Sequence, residues 1–204
     1  PFTVSLIDAK VDLASSCNGN QKTGELTYSF NLTTPRDVRI FASTLSGSGS
    51  PVVSLRDASC VDELRCRFGS SPPVYARNLQ PGIHVFSVAG STQIDANILV
   101  KTYPPTLTPP DQTCATAPAL SANVTFPVDL GSHEDAVKNG CFPGGPTAAY
   151  KLDITEPSDV LIVGRFPQND LGAVSLNTPT CGTADLIDCA QGATPQRVSK
   201  RNVQ

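Results

Sequence analysis

The chain has no methionine, no tryptophan and two histidines, and aromatic residues make up 6% of its 204 positions. Each shortage removes a class of function. His84 and His133 are the only neutral-pH bases, and they stand in unrelated surroundings, His84 within a strand-like run. No G-x-S-x-G elbow, H-E-x-x-H pair or glycine-rich phosphate loop occurs. The adjacent acids Glu134 and Asp135 read as solvent-facing charge, because glycosidic chemistry needs two carboxyls at a defined separation across a sugar. The chain therefore reads as non-enzymatic. A net charge of -3 gives no electrostatic footing for nucleic acid. No apolar run approaches the roughly 20 residues of a membrane span. Without tryptophan, a sugar-binding platform would rest on Phe68, Tyr75, Tyr103 or Phe142.

Seven cysteines are present. They recur at similar spacings without accompanying histidines, which suits disulfides in an oxidising compartment better than metal ligation and points to an extracellular or cell-surface location. Asn31-Leu-Thr33 and Asn123-Val-Thr125 are glycosylation acceptors only in a eukaryotic source.

The chain matches itself. Phe2-Thr-Val4-Ser-Leu6 through Cys17 aligns without a gap on Phe126-Pro-Val128-Asp-Leu130 through Cys141, and Arg77-Asn78-Leu79-Gln80 aligns on Arg201-Asn202-Val203-Gln204. Between these anchors Pro35-Arg-Asp-Val38 matches Pro157-Ser-Asp-Val160, Cys60 matches Cys181 and Cys66 matches Cys189. Spacing kept over about 80 positions indicates a repeated structural unit. The copies lack opposite ends: a counterpart of Cys114 projects to about ten residues ahead of Pro1, and the second copy stops where the first continues for about twenty residues more.

Alternation of period two dominates. Leu26, Tyr28, Phe30 and Leu32 form one apolar face, Ala148, Tyr150, Leu152 and Ile154 its match, and Ile94, Ala96, Ile98 and Val100 another. Further strands are expected at Phe2 to Leu6, Val38 to Ala42, Val52 to Arg56, Val74 to Arg77, Ile83 to Val88, Val124 to Leu130, Val160 to Gly164 and Ala173 to Leu176. Turn formers separate them at Asn18-Gly19, Ser46-Gly-Ser-Gly49, Pro81-Gly82, Asn139-Gly140 and Gly144-Gly145. No helical stripe persists for three turns. The expected fold is all-β: two antiparallel, jelly-roll-like β-sandwich modules in tandem, each incomplete at one end. They span residues 1–101 and 114–204, with a proline-rich spacer at 102–113.

Loop position suggests local disulfides, Cys60–Cys66 and Cys181–Cys189, each closing a short loop worth roughly 2 to 3 kcal/mol. Cys114–Cys141 then pairs the start of the second module to the turn before its Tyr150 strand. Cys17 is left free, linked to another polypeptide, or mispaired. Missing strands would leave the second module with open edges, which favours a clipped parent protein whose remaining fragments stay bound. Arg65 and Arg67 flank Cys66 and are candidates to grip an acidic peptide or anionic glycan, against the plainer reading of charges balancing Asp57, Asp62 and Glu63; Phe68, Tyr75 and Phe142 are the candidate aromatic binding residues.

Pro110-Asp111-Gln112-Thr113-Cys114-Ala115-Thr116-Ala117-Pro118 resembles the D-x-C-x-x-A-x-x opening of bacterial pre-peptidase C-terminal domains. Tyr150-Lys-Leu152-Asp-Ile154-Thr-Glu-Pro157-Ser-Asp-Val160 is similar to their Y-x-F-x-V-x-x-P-x-x-V strand pair, and Leu79-Gln80-Pro81-Gly82-Ile83-His-Val85 to their L-x-P-G-x-Y closing hairpin. The resemblance implies a secreted accessory module, carried with a hydrolase or in a surface protein, that binds a glycan or protein and in some cases calcium. Calcium takes about six to eight oxygens around one point; Asp111, Asp129, Glu134 and Asp135 are candidates but are scattered in sequence.

Overall fold

The computed structural model describes all residues except 18–23, 70–72, 138–140, 142–144, 168–170 and 183–184. The turns expected at Asn18-Gly19 and Asn139-Gly140 lie outside the described residues. The chain is all-β and divides into two units, Pro1–Thr108 with Gly131–Asp135 and Gly144–Pro146, and Pro109–Leu130 with Ala136–Pro143 and Thr147–Gln204.

The first unit holds eight strands: β1 (Phe2–Ser5), β2 (Glu25–Leu32), β3 (Arg36–Ser46), β4 (Pro51–Arg56), β5 (Glu63–Phe68), β6 (Val74–Leu79), β7 (Gly82–Gly90) and β8 (Asp95–Tyr103). They form two four-stranded sheets, in the orders β1-β8-β3-β6 and β2-β7-β4-β5, and every pairing is antiparallel. Alternation sends Val38, Ile40 and Ala42 of β3 and Ala96 and Ile98 of β8 into the same core as Val53 and Leu55 of β4 and Phe86 and Val88 of β7. Hydrophobic burial between the two sheets holds this unit together. Gly47 and Gly82 sit at positive φ in the turns where glycine was read as a turn former.

The second unit holds β9 (Ala119–Leu120), β10 (Lys151–Leu152), β11 (Ser158–Gly164), β12 (Leu171–Asn177), β13 (Leu186–Ala193) and β14 (Gln196–Val203). Among the described residues these pair in twos: β9 with β10 in parallel, and β11 with β14 and β12 with β13 antiparallel. The strand expected at Val124 to Leu130 is not formed; a 3-10 turn covers Leu130–Ser132. The long apolar alternation from Ala148 to Ile154 yields a strand at Lys151–Leu152 alone. A strand persists only where a neighbour satisfies its backbone, and β2, the sequence match of that run, has β7 beside it along its whole length.

The expected proline-rich spacer is divided among other elements. Thr102 and Tyr103 end β8, Thr106 is bonded to Asp37, and Pro110–Gln112 is a 3-10 turn with Gln112 buried.

The disulfides differ from the local pairing expected of neighbours in sequence. They join Cys17 to Cys66, Cys114 to Cys181 and Cys141 to Cys189, and leave Cys60 as a thiol. Cys60–Cys66, Cys181–Cys189 and Cys114–Cys141 are therefore not formed, and Cys17 is neither free nor intermolecular. Cys66 lies within β5 opposite Ser54, facing Cys17, Val52 and Ala89, whereas Cys60 stands in the β4–β5 turn at φ 63°. Strand and turn thus direct the two cysteines apart. A bridge spanning 49 residues, as Cys17–Cys66 does, restricts the unfolded chain by about 4 kcal/mol, so it holds the fold and does more than shape a loop.

Candidate interaction surface

The residues nominated for binding are largely committed within the first unit. Tyr75 on β6 is 8% exposed, and its hydroxyl donates to Asp37 Oδ2 at 2.9 Å. Asp37 on β3, 1% exposed, also accepts from the backbone N–H groups of Asn78 at 2.9 Å and Thr106 at 3.1 Å and from the Thr106 hydroxyl. Burial works to raise the Asp37 pKa, but these donors together outweigh it and hold the carboxyl below its usual range. The guanidinium carbons of Arg39 and Arg77 stand 4.5 and 4.8 Å from the Tyr75 ring centroid.

Arg65 Nη2 donates to Glu134 Oε1 at 3.1 Å, and the Arg77 backbone N–H donates to the same oxygen at 2.9 Å. Burial lowers the Arg67 pKa, with the charge of Asp135 opposing. The basic cluster therefore meets carboxylates of its own unit, and Tyr75 is a structural hydrogen-bond donor. Phe68 is different: it ends the edge strand β5 and is 40% exposed. Phe142 lies outside the described residues. Asp111 accepts from the Tyr150 hydroxyl at 2.7 Å, and among the described residues no three His, Cys, Asp or Glu side chains gather into a metal-binding group.

A less committed surface lies in the second unit and is legible by matching strands. Ser54 faces Cys66 across β4–β5, and Ser175 faces Cys189 across β12–β13. That register makes Val174 the counterpart of Val53 and Leu176 the counterpart of Leu55. Val53 and Leu55 are 2% and 0% exposed, while Val174 and Leu176 are only partly buried. The chemistry is the same and the neighbours are not. β4 is flanked by β5 and β7, but among the described residues β12 has β13 alone. Likewise β3 is flanked by β6 and β8, and β11, among the described residues, by β14 alone. Each of β11 and β12 thus carries an edge with no strand beside it among the described residues, on the side where β8 or β7 lies in the first unit. On these strands Leu161, Val163 and Leu171 remain exposed. Unpaired N–H and C=O groups next to apolar side chains are the features that accept an added strand.

The two units share local features. Asn78 and Asn202 both have positive φ, and each N–H donates to an aspartate, Asp37 at 2.9 Å and Asp159 at 3.0 Å. Phe2 packs on Tyr28 with ring centroids 5.0 Å apart, and Phe126 on Tyr150 at 4.9 Å. The sequence analysis expects open edges on the second module but names charges and aromatics of the first as the candidate binding residues, and no residue of β11 or β12. No family model, curated protein or solved structure matches the chain.

Proposed function

We propose that the chain is a non-catalytic accessory module of a larger extracellular protein, built from two copies of one β-sandwich unit, and that its second copy binds by accepting a β-hairpin. The observation that carries this reading is the partial exposure of Val174 and Leu176 where Val53 and Leu55 are fully buried. The hairpin has the character of β7–β8: two apolar strands, one lying beside β12 and the other beside β11. Its source on this reading is the remainder of the parent polypeptide, continuous or retained after proteolysis. Main-chain pairing supplies affinity, and the buried alternate side chains supply register. The resemblance to pre-peptidase C-terminal domains supports the secreted, accessory character.

The test is a chain in which Gln204 is followed by a second copy of Pro81–Tyr103, the junction that the match of Gln80 to Gln204 keeps in register. Hydrogen exchange of the Leu161, Val163, Ala173 and Ser175 amides, which the two-residue period turns toward the open edges, is expected to slow at least about tenfold. Unchanged exchange, with the appended residues exchanging as unfolded chain, overturns the reading. Adhesion to a glycan is the second reading, favoured by exposed Phe68; a glycan-array signal lost in Phe68→Ala would support it.

A further inference from the structure

We propose that the outer edge of β2 and the thiol of Cys60 form one docking site in the first unit, whose occupant is an extended, cysteine-bearing segment of the kind that Pro110–Leu120 supplies to the second unit. The inference rests on reading the two units as copies, but it concerns a different unit, edge and occupant from the hairpin site.

The second unit displays such a segment in place. Pro110–Leu120 runs beside the Tyr150 strand: Ala149 N–H donates to the Asp111 carbonyl at 2.7 Å, Lys151 N–H donates to the Pro118 carbonyl at 2.9 Å, and Ala119–Leu120 pairs in parallel with Lys151–Leu152. Between these contacts the chain turns at Thr113–Thr116, and Cys114 bonds to Cys181. Gln112 Nε2 donates to the Thr147 carbonyl at 3.3 Å. One segment therefore both adds a strand and ties down the loop that precedes β13.

The first unit has the receiving half of each contact. The match of Tyr28 to Tyr150 places Glu25, Thr27 and Ser29 at Thr147, Ala149 and Lys151. Glu25 N–H donates outward, away from β7, to the Lys10 carbonyl at 2.9 Å. The two-residue period of a strand then points the amides of Thr27 and Ser29 to that same side. They have no backbone partner there among the described residues, since β2 is the edge of its sheet. The matching extends to the neighbouring loop: Ala136 and Val137 N–H groups donate to Thr147 Oγ1 at 3.2 and 3.0 Å, and the Leu13 N–H serves Glu25. Glu25 is 8% exposed, and its Oε1 is buried with no hydrogen-bond partner among the described residues. A buried acceptor left unmatched at a strand edge marks a place where donors are wanted.

Cys60 completes the correspondence. Cys60 and Cys181 both have positive φ, at 63° and 51°, and each N–H donates 3.1 Å to the carbonyl three residues earlier, Asp57 or Thr178. Cys181 is bonded and Cys60 is not. The equivalent bond forms a sulfur–sulfur link between Cys60 and the incoming cysteine. Each thiol loses a proton and an electron, and the two electrons reduce a disulfide oxidant to its dithiol. Docking along β2 precedes this step by holding the two thiols together.

The experiment places a copy of Pro110–Val124 directly ahead of Pro1, the register set by the match of Phe2 to Phe126, and oxidises the chain with a glutathione redox pair. Peptide mapping is expected to find the added cysteine bonded to Cys60, with titratable thiol falling to zero. Thr27 and Ser29 amides are expected to exchange at least about tenfold more slowly than in the unextended chain. The same extension carrying serine in place of its cysteine should retain part of that protection. A Cys60 that stays alkylatable while Cys17–Cys66, Cys114–Cys181 and Cys141–Cys189 form overturns the proposal. So does a bond to Cys60 with unchanged Thr27 and Ser29 exchange, which would show a reactive thiol and no docking edge. Both readouts lie in the first unit, so a failure of the hairpin experiment on β11 and β12 is distinguishable from a failure here.

Discussion

The first unit seals Leu55 between two sheets, whereas the second leaves Leu176 partly open on a strand of like register. Both strands are built from small and branched apolar residues facing a cysteine-bearing partner. What separates them is the presence of β7 and β8 as the inner strands of the first unit's sheets. An inner strand satisfies backbone groups on both sides and also fills the core between the sheets, so its presence decides whether identical side chains are interior or surface. Hydrophobic content alone does not make a core; a complete set of neighbours does.

Disulfide removal should divide the cysteines most sharply. Cys17→Ser or Cys66→Ser is expected to cost the first unit about 4 kcal/mol in urea unfolding, while Cys60→Ser stays within about 0.5 kcal/mol. Equal losses for all three would place Cys60 in the load path and break the pairing described. Next in size, Leu55→Ala should cost about 2 to 5 kcal/mol and Leu176→Ala under about 1 kcal/mol, because truncation creates a cavity only where the site is closed. A large cost at Leu176 would mean the second unit is already sealed.

The aspartates that serve Asn78 and Asn202 sharpen the contrast further. Asp37→Ala removes an acceptor of four hydrogen bonds, with an expected cost of about 2 to 3 kcal/mol; Asp159→Ala, which loses the bond from Asn202, should cost about 1 kcal/mol. Since the folded-state value of Asp37 is depressed, its contribution is present above the unfolded carboxylate value of about 4 and is lost as pH falls through the lower folded value. Urea midpoints measured from pH 6 down to pH 2 should show that loss in the native chain and a flatter profile in Asp37→Asn.

The smallest effect concerns Tyr150, whose pKa is pushed up to about 12 by burial, by its hydrogen bond to Asp111 and by that carboxylate's charge. Its contribution is fully present below the unfolded tyrosine value of about 10 and is lost as pH rises through the folded one. Tyr150→Phe should cost about 1 kcal/mol at pH 7 and remove the decline on the alkaline side. Unfolding followed by hydrogen exchange at β10 and β9 between pH 9 and 12 reads both.

Much of the first unit was legible from period-two alternation: β2, β3, β4, β7 and β8 fall where the apolar faces of Leu26 to Leu32, Val38 to Ala42, Val52 to Arg56, Ile83 to Val88 and Ile94 to Val100 were read. β5 and β13 were not, because Glu63–Phe68 and Leu186–Ala193 mix charge, cysteine and small residues and owe their extension to pairing with β4 and β12. The candidate binding residues failed for a related reason. Nothing in the run Arg65-Cys66-Arg67 shows that Glu134, 69 residues away, returns to meet Arg65.

The sequence by itself determined the β character and most strand positions of the first unit, because these follow from local alternation and turn chemistry. Only the tertiary structure decided which cysteines meet, which arginines are neutralised and which strand edges stay open. Those outcomes depend on residues brought together from distant parts of the chain, and distance in sequence carries no signal of approach in space.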